Sequence, residues 1–225
     1  MGELFPVHLI DLRNHGKSFH SEEMTHDDLA HDISHYMEFH HIEKANLLGH
    51  SLGGKAVMQF AIKYPIKVQK LIVVDIAPKA YPPHHQGILK ALESVDFEKI
   101  TTRQEAEGVL QQYIPEKSVI QFLAKNLYWK DDKKLDWRFN LKTLSEKYSD
   151  FVSNAIKFGV FTGETLFIAG AKSNYILPQD EFLIKQQFPN SSVVTVENAG
   201  HWVQAENPTD FNEAVKDFIF ETPLV

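Results

Sequence analysis

Gly49-His50-Ser51-Leu52-Gly53 has the residue types and the spacing to present a nucleophile. In a G-x-S-x-G pattern the serine sits on a sharp strand-to-helix turn, with its hydroxyl clear of the backbone above a sheet. Such a turn brings neighbouring elements so close that side chains at the flanking positions would clash, hence the two glycines. The helix that follows aims its N-terminal dipole at the site and favours a developing oxyanion. The pattern is common by chance, and an ordinary glycine-flanked turn is the competing reading. Here it follows an apolar strand through Leu47-Leu48 and opens a helix with Ala56, Val57, Phe60, Ala61 and Tyr64 on one face, the context that favours a nucleophile. The hydroxyl needs a base. With 12 histidines in the chain, identity alone singles out none of them. His201, in Ala199-Gly200-His201-Trp202, stands apart by position: it directly follows strand-like Val193–Val196 and precedes the last helix. The small residues before it let its loop approach the elbow.

These groups need a scaffold, and the chain alternates strand and helix signals. Val7 to Asp11 reads as a buried strand leading into the turn-rich Arg13-Asn14-His15-Gly16. Thr25, with Asp28 three residues on, reads as a helix N-cap, and Leu29, Ile33, Tyr36 and Met37 repeat at helical spacing behind it. Leu71 to Ile76 is a continuous apolar run holding Asp75, as expected of a parallel strand buried on both faces. From about Lys79 to Gly159 the texture turns helical, charged and aromatic, with Tyr81-Pro82-Pro83 at its entrance and no convincing strand. Strand-like sequence resumes at Thr165–Ala169 and Val193–Val196, a helix covers about Pro178 to Phe188, and Asn207-Pro208 caps a final helix. The expected fold is α/β, a mostly parallel central sheet flanked by helices, with a helical cap inserted after the strand ending at Asp75. The core is residues 1–78 and 160–225, and the cap (lid) is residues 79–159.

Composition narrows the chemistry. At 225 residues, 43% of them hydrophobic, the chain buries a sizeable core without staples, and it has no cysteine for disulfides, thiolate metal sites or cysteine catalysis. A net charge of −7 argues against a broad basic surface for nucleic acid or anionic lipid. The acidic start Met1-Gly2-Glu3-Leu4-Phe5-Pro6 is no signal peptide, and Pro6 stands where a myristoylation signal wants Ser or Thr. No apolar run approaches a bilayer span, so a soluble, cytoplasmic protein is expected, with no membrane partner. His31 and His35 lie one helical turn apart, but no third ligand accompanies them and a solvated helix face is the better reading. His40-His41 and His84-His85 are weaker still. Trp129, Trp137, Tyr128 and Phe139 are read as packing the insertion, some of them as lining for an acyl pocket.

Asp11-Leu12-Arg13-Asn14-His15-Gly16-Lys17-Ser18, the elbow with Gly54-Lys55, Val74-Asp75-Ile76-Ala77-Pro78 and Glu197-Asn198-Ala199-Gly200-His201-Trp202 occur in this order over nearly the whole chain. Together they resemble the signature blocks of the α/β-hydrolase superfamily, and within it of small bacterial esterases of the YbfF type. The resemblance implies a serine hydrolase for small-molecule acyl esters or thioesters, with no metal and no cofactor. It implies an acid in one of two places. Most of the superfamily carries it after the strand that follows the cap, where this chain has Gly170-Ala171-Lys172-Ser173-Asn174-Tyr175 and an amide, Asn174, at the usual position. Some members take it from the carboxyl end of the preceding strand, which is Asp75. Asp75 is the expected acid, with Asn174 as a helper that hydrogen-bonds near His201; the competing reading of Asp75 is a carboxylate that caps the start of the insertion.

The fold also implies two backbone oxyanion donors, one from Leu52 and one from a His-Gly loop after the third strand. The sequence opens at what looks like strand four, so that loop and strands one to three are not found in it. In the family's strand order this would open a gap between the Val7–Asp11 and Ala45–Leu48 strands. Three expectations follow: those two strands pair directly, a second subunit lends a strand in a homo-oligomer, or the chain is a fragment. The last gives the rival function, a weakly active or non-catalytic paralogue that acts by binding.

Overall fold

A computed structural model describes residues 6–82, 86–131, 134–148, 151 and 154–220. In chain order the elements are α1 (His26–Phe39), β1 (Ala45–His50), α2 (Leu52–Lys63), β2 (Val68–Val74), α3 (Gln86–Glu93), α4 (Arg103–Leu110), α5 (Lys117–Ala124), β3 (Leu127–Trp129), β4 (Leu135–Trp137), α6 (Leu141–Glu146), β5 (Thr165–Gly170), α7 (Glu181–Gln187), β6 (Ser191–Val196), α8 (Val203–Glu206) and α9 (Pro208–Phe220). They fall into two units. One comprises the residues up to His8, Thr25–Ala80 and those from Asn154 on; the other comprises Leu9–Met24 and residues 81–153. The terminal residues 1–5 and the pair His84-His85 lie outside the described residues.

The first unit is a parallel sheet in the order β1-β2-β5-β6. Position in that order explains the sequence texture. The two central strands are buried on both faces, which is why β2 and β5 read as apolar runs; the edge strands β1 and β6 carry exposed positions. Ile72, Val74, Leu166 and Ile168 pack against Val203 of α8 and Phe211 and Val215 of α9. Helix α2 lies close to Val73 on the opposite face, and α1 packs against α2. Thr25 caps α1 as expected: its hydroxyl accepts the Asp28 N–H and the Asp28 carboxylate accepts the Thr25 N–H.

Register is what builds the site. His50 is level with Val74 and Val74 with Ile168, while Gly170 pairs with Val196, so the strands end at one edge. The ladder runs one step further, with Ser51 N–H donating to Val74 O at 3.1 Å and Asp75 N–H donating to Ile168 O at 2.8 Å. Ligand sites of open α/β sheets lie at such carboxyl ends.

Two expectations are corrected here. Val7–Asp11 forms no strand, and Leu9 is 92% exposed. Among the described residues β1 pairs with β2 alone, so the anticipated gap is the outer edge of the sheet, with Leu48 exposed on it. A lone strand has no neighbour to satisfy its N–H and C=O groups, and apolar residues alone do not make one. The insertion does hold strands: in the second unit β3 and β4 form a short antiparallel hairpin, pairing Leu127 with Trp137 and Trp129 with Leu135. The core of that unit gathers Leu92, Leu110, Ile120, Leu127, Trp137 and Phe139, whereas Trp129 is exposed. In the same unit, buried Asn14 accepts the Ser21 N–H at 2.8 Å and the Asn140 amide at 3.1 Å. Gly16 suits that turn, since its φ is +55° and a Cβ would push the Asp11 carboxylate aside. Among the described residues no helix is long and apolar enough to cross a membrane.

His26, the first residue of α1, is buried; burial first and the Lys55 ammonium second push its pKa down to about 4, against the pull of Asp27. An unfolded imidazole titrates near 6.5, so between about pH 6.5 and about 4 the unfolded chain binds more protons than the folded one. The stability that His26 supports is therefore present above about pH 6.5 and lost as the pH falls toward 4, up to about 3 kcal/mol. Urea midpoints measured between neutral pH and pH about 4.5 should fall steadily, and less steeply in His26→Gln.

Candidate active site

Ser51 stands between β1 and α2 with φ 53° and ψ −117°, a conformation that costs a non-glycine residue about 1–3 kcal/mol. The turn is tight because α2 doubles back immediately over the end of β1. A Cβ on Gly49 would lie 2.2 Å from Gly53 O, and one on Gly54 would lie 2.4 Å from the Ile76 side chain. Gly53 is different: a Cβ there meets nothing within 4 Å. The second glycine that the turn requires is thus Gly54, one residue beyond the pattern, because that is the position α2 presses against the sheet. Leu52 is the first residue of α2, and its N–H belongs to the donors a helix leaves without an intrahelical acceptor.

Asp75 follows β2 as Ser51 follows β1, again with positive φ, 48°, and it is fully buried. Its Oδ1 accepts the Gly170 N–H at 3.1 Å, and its Oδ2 accepts the Ser173 hydroxyl at 2.5 Å and His201 Nδ1 at 2.8 Å. Three donors meet what a buried carboxylate needs when it leaves water. A carboxylate can only accept, so Nδ1 carries the imidazole proton and Nε2 offers its lone pair. Nε2 lies 3.1 Å from Ser51 Oγ. Ser51, His201 and Asp75 are therefore brought into one hydrogen-bonded line. Asn174 is exposed, and its loop reaches the carboxylate through the neighbouring Ser173 instead.

The loop after β6 that carries His201 is fastened on several sides. Glu206 accepts the Gly200 N–H at 2.9 Å and the Trp202 N–H at 3.2 Å, and Lys172 N–H donates to Ala199 O at 2.8 Å. Its close approach depends on Gly170, where a Cβ would lie 2.1 Å from Gly200 O. His50 Nε2 donates to the His201 carbonyl at 2.7 Å, and the two rings lie 4.6 Å apart. Burial above all, then the neighbouring His201, pushes the His50 pKa down to about 4, which keeps this ring neutral beside the site. Tyr175 stacks on His201, 4.0 Å between ring centroids. Sequence reasoning passed over His50, Ser173, Tyr175 and Glu206. The one available signal was their proximity in sequence to the elbow, to the loop after β5 and to His201.

Elsewhere, His31 and His35 are exposed, and His31 Nδ1 hydrogen-bonds the Tyr64 hydroxyl at 2.8 Å. Among the described residues no cluster of three or more His, Asp or Glu side chains could hold a metal ion.

A parallel α/β sheet whose carboxyl edge gathers a serine on a strand-to-helix turn, a carboxylate and a histidine, in that chain order, has the architecture of the α/β class of hydrolases. The profile described as alpha/beta hydrolase fold matches residues 4–208, and the chain belongs to that family. It is 36% identical over 216 residues to the sn-1-specific diacylglycerol lipase of Danio rerio, covering 93% of this chain and 68% of that one. It is 34% identical over 211 residues to esterase YbfF of Escherichia coli, covering 93% of this chain and 81% of the relative. A solved marine microorganism esterase superposes with a TM-score of 0.89 at 35% identity, over 92% of this chain and 82% of that one.

The glycine geometry has a measurable consequence. Gly49→Ala and Gly54→Ala force backbone or core atoms apart and should lower stability by about 2 kcal/mol or more. Gly53→Ala enters open space near the start of a helix and should be neutral or stabilising by up to about 1 kcal/mol. Thermal melts of the three variants check the ordering.

Proposed function

We propose that this protein is a serine hydrolase that cleaves small-molecule carboxylic esters through an acyl-enzyme on Ser51. The observation that carries the reading is the unbroken line Ser51 Oγ–His201 Nε2, His201 Nδ1–Asp75 Oδ2, at 3.1 and 2.8 Å. The kinship with proteins named esterase and diacylglycerol lipase supports an ester as the substrate class. We also assign residues 79–159 as the cap of such a hydrolase and residues 1–78 and 160–225 as its core.

In this mechanism Ser51 Oγ attacks the acyl carbon while its proton passes to His201 Nε2. The oxyanion that forms is met by the Leu52 N–H and the positive end of α2. The tetrahedral species collapses as His201 returns the proton to the departing alkoxide. Water then enters, gives a proton to His201 Nε2 and attacks the acyl carbon; the second tetrahedral species collapses with cleavage of the bond to Ser51 Oγ, which takes the proton back from His201 as the acid departs. Asp75 holds the imidazole in the Nδ1–H tautomer and faces the positive charge that develops on it. A thiolate leaves by the same route, so acyl thioesters fall within the same chemistry, and no step calls for a metal or cofactor.

Pre-steady-state release of p-nitrophenol from p-nitrophenyl acetate tests the reading. A burst equal to the enzyme concentration, abolished in Ser51→Ala together with fluorophosphonate labelling, is expected. Folded wild-type protein with no burst would overturn it and leave the elbow as architecture of a binding protein. Asp75→Asn should lower kcat by about 10⁴-fold, because an amide can donate to Nδ1 and leave the proton on Nε2. Asn174→Ala should leave kcat within about twofold, since that side chain reaches neither Asp75 nor His201. A larger loss from Asn174→Ala than from Asp75→Asn would move the acid role to the loop after β5.

A further inference from the structure

We propose that Tyr175 is a positioning residue for the base, its ring face holding the His201 imidazole and stabilising the imidazolium formed when Ser51 gives up its proton. The inference rests on the reading of His201 as that base. The two ring centroids are 4.0 Å apart and the planes are inclined by 21°, so the face of the phenol ring lies over the imidazole. An aromatic face attracts a cation more strongly than a neutral ring. In the proposed mechanism the imidazole gains a positive charge as it takes the Ser51 proton, so the contact strengthens along the reaction. Interactions of that kind are the ones that raise turnover.

Tyr175 is well held for this purpose. Its N–H donates to Ser173 Oγ at 3.2 Å, and the next residue, Ile176, is buried. Beyond that, Leu177 N–H donates to Asp180 Oδ2 at 2.9 Å, and the same carboxylate takes Lys79 Nζ at 2.5 Å. The charged, titratable and polar groups around His201 come from every neighbouring element. His50 and Ser51 follow from β1, Asp75 from β2, and Ser173 and Tyr175 from the loop after β5. Glu206 of α8 binds the backbone on both sides of His201, and the Trp202 ring lies 6.2 Å from it. Asp75 supplies the negative charge in the plane of the imidazole, and Tyr175 supplies the electron-rich surface over its face. His50 is neutral and does not oppose them.

The test uses the full chain with Tyr175→Phe, Tyr175→Leu, and phenylalanines of increasing ring fluorination incorporated at position 175. Fluorine drains the negative potential of the ring face while the ring keeps its shape. The readout is kcat/KM for p-nitrophenyl acetate across about pH 5 to 9, where the acid limb reports the base of the free enzyme. Wild type and Tyr175→Phe should share one acid limb. Along the fluorinated series the limb should move stepwise to lower pH, by roughly half to one pH unit in all, with a plateau about 3- to 10-fold lower. Tyr175→Leu should match the end of the series. A ring that merely fills space predicts rates independent of fluorination and an acid limb that stays in place, and that result overturns the proposal. Should Tyr175→Leu fail to fold, the fluorinated series still decides. Wild-type turnover that survives Ser51→Ala would instead overturn the function assigned to the site, whatever the fluorinated series shows.

Discussion

The site depends on two neighbouring parallel strands that end level with each other and then leave the sheet through a residue of positive φ. Ser51 N–H still bonds Val74 O and Asp75 N–H still bonds Ile168 O, so both residues take their last ladder bond before φ turns positive. A slip of one residue between β1 and β2 would shift Ser51 against Asp75 by about 3.3 Å and swap the faces of every side chain on the slipped strand. The register is held by burial. Leu71 to Val74 are within 1% of full burial, and their alternation divides them between the α2 face and the α9 face. The apolar run that looks like generic core is therefore what sets the position of the Ser51 hydroxyl against the Asp75 carboxylate.

Placing the carboxylate on Asp75 has a mechanical logic. A side chain one residue beyond a central strand inherits the rigidity of that strand, whereas one on the 170–175 loop would depend on the loop's own order. The loop contributes supporting groups instead: the Gly170 N–H and the Ser173 hydroxyl to Asp75, and the Tyr175 ring to His201. The loop that carries His201 is tied in turn to the loop after β5, to Glu206 and to His50. The turns after β1 and β2 thus meet the imidazole through hydrogen bonds, and the loop after β5 meets it through the Tyr175 ring. Burial of Asp75 strengthens its interaction with that ring, and it would be costly without all three donors.

Much of this was legible in the chain. The elbow announced itself through Gly49, Ser51 and the apolar strand before it, because a strained turn leaves a local signature. His201 was found by its place after the last strand, and α1 and α9 by their capping residues, Thr25 and Asn207. What escaped needed information from distant neighbours. Val7–Asp11 has the composition of a strand, but pairing decides whether a strand exists. The hairpin of β3 and β4 is too short to show a period of two. Gly53 and Gly54 look alike in sequence, and only the packing of α2 on Ile76 and Val73 separates them. Whether Asp75 or the loop after β5 faces His201 was open because both are near the ends of strands; the register of β2 with β5 decides which comes within hydrogen-bonding distance.

Two polar side chains in the buried face of α2 connect the helix that follows Ser51 to the segment that leads into β5. Lys55 and Gln59 are one helical turn apart and almost fully buried, where the periodicity calls for apolar residues. Each is matched to the backbone entering β5: Lys55 Nζ donates to Asn154 O at 2.5 Å, and Gln59 Oε1 accepts the Lys157 N–H at 2.9 Å. The Gln59 amide also donates to Asp27 at 3.1 Å, and Lys157 Nζ binds the same carboxylate, which joins α1 to this segment as well. Burial pushes the Lys55 pKa down to about 8, so the ammonium carries a desolvation cost that an apolar residue would not. Buried polar contacts of this kind contribute less to stability than to uniqueness, because alternatives leave them unsatisfied. Here they fix the path by which the chain returns to the sheet. That path delivers β5 beside β2 in the register that brings Gly170 and Ser173 to Asp75 and Tyr175 to His201.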